Sequence, residues 1–338
     1  MHEGENLAVF NILCFGLSPV RRLLERLAQS FSTQADISVF HDFHPPPFGG
    51  GNQFMLALSQ QLEACGFRIE RNRLSIETRA CLFNSFNFDF RRLTRFCKGG
   101  SARMVHRVDG PVDVYRGDSR GVDREICEIN HEIADATIFQ SQYSLEAHQK
   151  LGLEFRDPVV VHNAVDPTVF FPGKPAPPRR SRKIRLISSS WSDNPNKGAS
   201  VYKWLEENLD WDHYEYTFVG RSPVQFDSIR LHHPVASHQL ASLLREHDIF
   251  ITASVHDPCS NALIEALACG LPAIYACSGG HPELVGNGGY GFDHREQIPD
   301  LLFHLADNLE KVRTAINVPS LEQVTIAYLQ AMGISDAG

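Results

Sequence analysis

His256-Asp257-Pro258-Cys259-Ser260-Asn261-Ala262-Leu263-Ile264-Glu265-Ala266-Leu267-Ala268-Cys269-Gly270-Leu271-Pro272 is the stretch from which the rest of the chain can be read. It follows Ile249–Ala253, an apolar run with the length of a buried strand, which ends at Ser254. Pro258 and Ser260 are helix-start residues, and Gly270 is a helix stop. A strand followed by a helix start leaves the backbone N–H groups of Ser260, Asn261 and Ala262 without intrahelical partners, pointing beyond the strand's end. Such a terminus is an anion site, and the helix dipole adds to it. Glu265, about one turn in, has the chemistry to accept hydrogen bonds from a ribose diol. Asp257, just before the helix, can reach a sugar hydroxyl. The same residues also fit a plain amphipathic helix whose two acids are merely solvated.

The pattern repeats on either side. Strands are expected at Ile184–Ser189, Tyr216–Val219 and Ala273–Ala276, with helices at about 198–208, 237–247, 261–269 and 281–285. Upstream, strands are expected at Ile37–Phe40, Leu82–Phe86, Met104–Val108, Thr137–Gln140 and Val159–His162. Helices are expected there at Gln53–Cys65, Asp123–Ala134 and Ser144–Leu151. Alternation of this kind means an α/β chain with parallel sheets covered on both faces. Residues 172–183 are Pro-rich and basic, as a linker would be. The expected organisation is an N-terminal appendage at 1–35, in which Ser18-Pro19 opens a helix; a doubly wound domain at 36–171; the linker; a second such domain at 184–316; and a C-terminal helical segment at 317–338, packing back on the first domain.

The chain has 338 residues, enough for two domains with their own cores. A net charge of −8 gives no global basic footprint for nucleic acid. None of the 8 cysteines forms a CxxC pair, which removes the strong cue for zinc or dithiol chemistry and points to a reducing compartment. No apolar run approaches the roughly 20 residues of a membrane span. Leu7–Leu17 has acidic residues before it and Arg21 and Arg22 after it, the wrong polarity for a secretion signal. A cytoplasmic protein is expected. Arg91, Arg92, Arg95 and Lys98 at near-helical spacing could meet an anionic acceptor or the inner membrane face, or be a solvated helix face.

Several motifs match only in letters. Gly286-Asn-Gly288-Gly-Tyr-Gly291 spells GxGxxG but follows a helix rather than a strand, so the dinucleotide context fails. Asp210-Trp-Asp212 spells DxD but sits in a polar turn, and His232-His233 reads as a loop.

Taken together, the segments resemble the GT-B glycosyltransferases, specifically the retaining family 4 type (glycosyl transferases group 1). Asp257, seven residues, then Glu265 is similar to that family's acid-x7-Glu signature. Ser278-Gly-Gly-His-Pro-Glu283-Leu-Val looks like its next loop and helix, and Val161-His-Asn163-Ala-Val-Asp166-Pro like its interdomain segment. The resemblance covers about residues 37–295 and is stronger in the second half. It implies two facing Rossmann-like domains and a nucleoside-diphosphate sugar of UDP or GDP type bound mainly by the second. It also implies transfer of a hexose-type sugar to an acceptor hydroxyl with retention, and no metal. Glu265 would hold the ribose, Asp257 would face the donor sugar, and the Ser260, Asn261 and Ala262 amides would sit near sugar or phosphate. Lys197 matches the family lysine on the diphosphate, where a fixed cation stabilises the charge that develops on the leaving group.

Two positions depart from the pattern. The first acid is Asp257 rather than Glu, and the family's phosphate Arg is replaced by Ser192. Arg221 could supply that cation, or Ser192 a neutral hydrogen bond. In the first domain, Gly50 and Gly51 would let backbone amides approach the diphosphate. At the end of the strand Met104–Val108, His106, Arg107, Asp109 and Arg116 either orient the acceptor or β-phosphate or form a loop-stabilising network, with Asp109 the leading catalytic candidate. The acceptor would be a carbohydrate, a lipid-linked glycan or a protein. Two other readings stay open: an inactive nucleotide-sugar-binding or scaffold protein, and a nucleotide-sugar epimerase on the same fold.

Overall fold

The computed structural model describes residues 35–45, 49–75, 77–84, 93–94, 101–117, 120–173 and 182–334. Most of the N-terminal appendage, nearly all of the basic stretch 91–98 and the centre of the linker lie outside the described residues.

Six strands form a first sheet: β1 (Ile37–Phe40), β2 (Ile69–Arg71), β3 (Ala80–Asn84), β4 (Arg103–Val108), β5 (Ala136–Phe139) and β6 (Pro158–Val160). They lie in the order β2-β1-β3-β4-β5-β6, every neighbouring pair parallel. Helices α1 (Gly50–Ala64), α2 (Val112–Arg116), α3 (Val122–Ile133) and α4 (Gln142–Lys150) fill the crossovers. A second parallel sheet holds β7 (Ile184–Ser190), β8 (Tyr214–Gly220), β9 (Arg230–His232), β10 (Ile249–Thr252), β11 (Ala273–Ala276) and β12 (Gly289–Phe292), in the order β12-β11-β10-β7-β8-β9. Its helices are α5 (Ala199–Asn208), α6 (Ser237–Arg245), α7 (Asn261–Ala268), α8 (His281–Val285), α9 (Ile298–Asp307) and α10 (Leu309–Thr314). Every residue of β1, β3, β10 and β11 is buried, as a sheet covered on both faces requires.

The winding direction reverses between β1 and β3 in the first sheet and between β7 and β10 in the second. A doubly wound sheet leaves a crevice at such a reversal, beyond the carboxyl ends of its strands. The chain then returns. α11 (Leu321–Ala331) packs on α1, burying Leu321, Val324, Tyr328 and Leu329 with Phe54, Leu58 and Leu62 in the core of the first sheet.

Three expectations are corrected here. α1 begins at Gly50, three residues earlier than its apolar pattern, so the glycines are its first turn rather than a turn before it. Tyr115 and Arg116 lie on the short helix α2, not in a loop; Asp123 of α3 caps it, accepting from the Val112 N–H at 2.9 Å and the Asp113 N–H at 2.8 Å. His232 closes the edge strand β9. Within the false dinucleotide motif, Gly291 packs on Cys277, where an added Cβ would lie 2.4 Å from Sγ, and Gly289 lies against the neighbouring strand. A Cβ on Gly289 would come within 2.0 Å of the Ala273 carbonyl oxygen across the β11–β12 pair. Asp210 and Asp212 are in a turn closed by the Asp210 carboxylate, which accepts from the Asp212 N–H at 3.0 Å.

Candidate active site

The two reversal crevices open towards each other, and a cleft of about 510 Å³ lies between them. The second sheet supplies Ser189 and Ser190 from the end of β7, Thr252 from β10, and Ser254, Asp257, Ser260, Asn261, Ala262 and Glu265 from the loop and helix that follow. Trp191, Ser192 and Lys197 come from the segment after β7. The first sheet contributes Gly49, Gly50, Gly51 and Gln53 at the start of α1, and Tyr115 and Arg116 at the end of α2. A second cavity of similar volume lies behind the cleft, lined by Phe170, Phe171, Leu267, Leu271, Ile316 and Val318. Its arginines are occupied: Arg245 donates to the Val169 carbonyl and Arg313 to the Gly270 carbonyl, each at 3.0 Å. The convergent polar groups are in the first cleft.

At its centre Lys197 Nζ donates to Asp257 Oδ2 at 2.7 Å. Burial opposes the charge on both, but their mutual attraction outweighs it. The Lys197 ammonium is held above its usual range and the Asp257 carboxyl below its own. Tyr115, from the other sheet, places its ring 5.7 Å from Lys197 Nζ. The Tyr115 carbonyl also accepts from Asn196 Nδ2. Lys197 is kept in place by Gly198, whose φ of 79° and close approach to Ala253 (2.3 Å from an added Cβ to the carbonyl oxygen) admit only glycine. Asp257 is fixed from behind: the Gly280 N–H donates to its carbonyl at 2.9 Å, and His256 before it takes a left-handed φ of 57°. A non-glycine residue in that region stores strain of the sort found at functional sites.

Glu265 differs from these. It is 8% exposed, and among the described residues no side chain or N–H donates to its carboxyl, so burial pushes it up to about 8. A desolvated carboxyl facing a cleft is matched by hydroxyl donors on whatever fills that cleft. Ser260, Asn261 and Ala262 form the N-terminal turn of α7, as the sequence implies, and Asn261 Oδ1 accepts from Asn163 Nδ2 at 3.1 Å. Gly50 packs directly on Asn261, where an added Cβ would lie 2.4 Å from the Asn261 Cβ, whereas at Gly51 it would meet nothing within 4 Å. The Ser192 hydroxyl lines the cleft and accepts from the Asn194 N–H at 3.2 Å.

Other candidates are placed elsewhere. Arg221 does not line the cleft; it is exposed and stacks on Trp191, 5.1 Å from the ring centre. Asp109 does not line it either, and accepts from Arg107 at 3.1 Å and from Gln140. His106 and Arg107 are buried rather than presented to an acceptor. His106 stacks on Phe83 at 4.4 Å, and burial lowers its titration to about 3. Arg107 donates to Asn84, Asn163 and the Tyr328 hydroxyl, forming a network that ties β3, β4 and α11 together.

Contacts that no motif announced bridge the two halves outside the cleft lining. The Glu283 carboxylate, on α8, accepts from the Gln142 and Tyr143 N–H groups that open α4, at 2.9 and 3.0 Å, and lies 3.0 Å from His162 Nε2. Tyr143 Oη lies 3.1 Å from His256 Nδ1. Only the general match of the Gly279-Gly280-containing loop to a family segment drew attention to Glu283.

Residues 208–312 match the family described as glycosyl transferases group 1. That range includes Arg221, Asp257, Ser260, Asn261, Ala262 and Glu265 and leaves out Lys197 and the first sheet. Over 88% of this chain and 99% of the other, the structure is similar to HepE of Anabaena in complex with UDP and glucose, with TM-score 0.65 and 14% identity. It is similar, with TM-score 0.66 and 11% identity, to the catalytic domain of starch synthase IV from Arabidopsis thaliana bound to ADP and acarbose, over 89% of this chain and 99% of that one. The fold is GT-B. Among curated proteins, a probable sucrose-phosphate synthase of Thermosipho melanesiensis is 25% identical over 51% of this chain and 45% of its own length. The chain thus spans about half the length of that relative. Among the described residues no helix is long and apolar enough to cross a membrane, and no three His, Cys, Asp or Glu side chains gather as metal ligands would.

Proposed function

We infer that this GT-B protein is a hexosyltransferase. It takes a sugar from a nucleoside-diphosphate donor, of UDP or GDP type, and passes it to an acceptor hydroxyl of a carbohydrate, lipid-linked glycan or protein with retention of anomeric configuration. The observation that carries this is the cleft itself. A buried Lys197–Asp257 pair, a donorless buried carboxyl at Glu265 and the N-terminus of α7 converge at the reversal point of the second sheet. That set suits the parts of such a donor. The Glu265 carboxyl takes the ribose diol, the α7 N–H groups and Lys197 take the diphosphate, and Asp257 takes a hydroxyl of the sugar. As the bond from the anomeric carbon to the β-phosphate oxygen breaks, negative charge grows on that oxygen, and the ammonium of Lys197 stabilises it. In same-face transfer the departing phosphate accepts the acceptor's proton, so no side chain is needed as base. Lys197 and the helix terminus then do the electrostatic work that a divalent cation does elsewhere. A cytoplasmic site of action fits this donor chemistry.

Titration calorimetry with UDP, GDP, ADP and dTDP tests the donor half of this reading. One nucleotide should bind, and Glu265→Ala should weaken it by about tenfold or more, the loss of the carboxyl's hydrogen bonds to the ribose diol. At about 100 times its dissociation constant the nucleotide should add about 2.7 kcal/mol to stability. No heat with any of the four at millimolar concentration would sink the reading. The anomeric configuration of the product, read by NMR, tests retention separately.

A further inference from the structure

Two basic side chains, Lys197 and Arg116, and two carboxyls, Asp257 and Glu265, line the cleft among the described residues. Lys197 is already matched by Asp257 at 2.7 Å. A diphosphate held by Lys197 alone would share that ammonium with a buried carboxylate, and the local balance would be negative. Arg116 is the other cation facing the space, and among the described residues no carboxylate, carbonyl or hydroxyl engages its guanidinium. Its backbone is held on both sides. Asp123 fixes the start of α2 through two N–H groups, and the Tyr115 carbonyl receives Asn196, the residue before Lys197. The helix end that carries Arg116 is thereby docked on the loop that carries Lys197, although the two belong to different sheets.

We propose that Arg116 is the second cation on the donor diphosphate, so that the phosphate site is built from both halves of the molecule. This rests on the donor reading above. A planar guanidinium suits the role because it can bond two phosphate oxygens at once. Arg221, the cation that the sequence offers for this role, stacks on Trp191 and does not itself line the cleft. It follows that the diphosphate, rather than the nucleoside, draws the two halves together.

The test compares UDP with uridine (GDP with guanosine, if that is the nucleotide bound) on wild type, Arg116→Gln, Arg116→Lys and Arg221→Gln, by titration calorimetry. Arg116→Gln should weaken the diphosphate by about tenfold or more and leave the nucleoside within about twofold. Arg116→Lys should recover part of the loss, and Arg221→Gln should bind as wild type does. Unchanged diphosphate binding by Arg116→Gln overturns this assignment and leaves the donor reading standing. Equal loss of nucleoside and diphosphate also overturns it, since that marks a distorted cleft. Failure of the wild type to bind any nucleoside diphosphate overturns both.

Discussion

A carboxyl buried without a donor titrates high, and Glu265 does so at about 8. The unfolded chain gives up this proton near 4.5, so between 4.5 and about 8 the folded form binds more protons and stability falls as pH rises. Glu265→Gln removes that loss. At about pH 9 the variant should be the more stable by several kcal/mol, at ~1.4 kcal/mol per unit between 4.5 and about 8, and near pH 4.5 the two should melt alike. Equal melting points at both pH values would count against the donorless carboxyl. His106 shows the opposite sign. Its folded value of about 3 lies below the unfolded 6.5, so stability falls as pH drops from 6.5 towards 3. His106→Phe keeps the stack on Phe83, should flatten that acid limb in a pH series of melts, and should leave transfer unchanged. Asp257, Ser260 and Glu265 were legible because they sit around one helix start, where the signal is local. His106 and Arg107 were not. Successive strand residues point to opposite faces, and the partners of these two, Asn130, Asn84, Asn163 and Tyr328, are far away in sequence.

At the scale of elements, the apolar strands were readable to within about two residues at each end, because a sheet covered on both faces needs a continuous run. Three of the four edge strands were not. β2 is Ile-Glu-Arg, β9 is Arg-Leu-His and β12 is Gly-Tyr-Gly-Phe, three or four residues without a repeating apolar pattern. α2 was missed for a related reason: its five residues gain their start from Asp123, which only tertiary contact supplies. The turn between β7 and α5 is the element on which Lys197, the cation proposed for the diphosphate, depends. Gly198→Ala forces a side chain into a left-handed φ and against β10, so it should cost about 2 kcal/mol or more and weaken nucleotide binding by moving Lys197. Chemical denaturation and calorimetry on the same preparation check both parts; a stable variant with full affinity would refute the link.

For the molecule as a whole, a cleft between two domains was expected, but what holds it closed was not. The Glu283 carboxylate reaches partners 121 to 141 residues away, and no local pattern encodes that. Burial opposes its ionisation, but His162 and the two α4 amides outweigh it and keep the carboxyl below its usual range. Its contribution is therefore complete above 4.5 and fades as pH falls through the lowered value. Glu283→Ala should enlarge the radius of gyration in small-angle scattering and weaken the donor severalfold. Saturating donor should bring the radius back; an unchanged radius would show that the halves are held by other contacts.

Gly50 and Asn261 place the first turns of α1 and α7 nose to nose. Each carries about half a positive charge, so the two helices push each other apart. Negative charge between them reverses that force and works as a keystone does in an arch, bearing on both sides at once. On the donor reading proposed above, closure then has a price in salt: sulfate or inorganic phosphate would take the keystone's seat, tightening the molecule while competing with the proposed diphosphate.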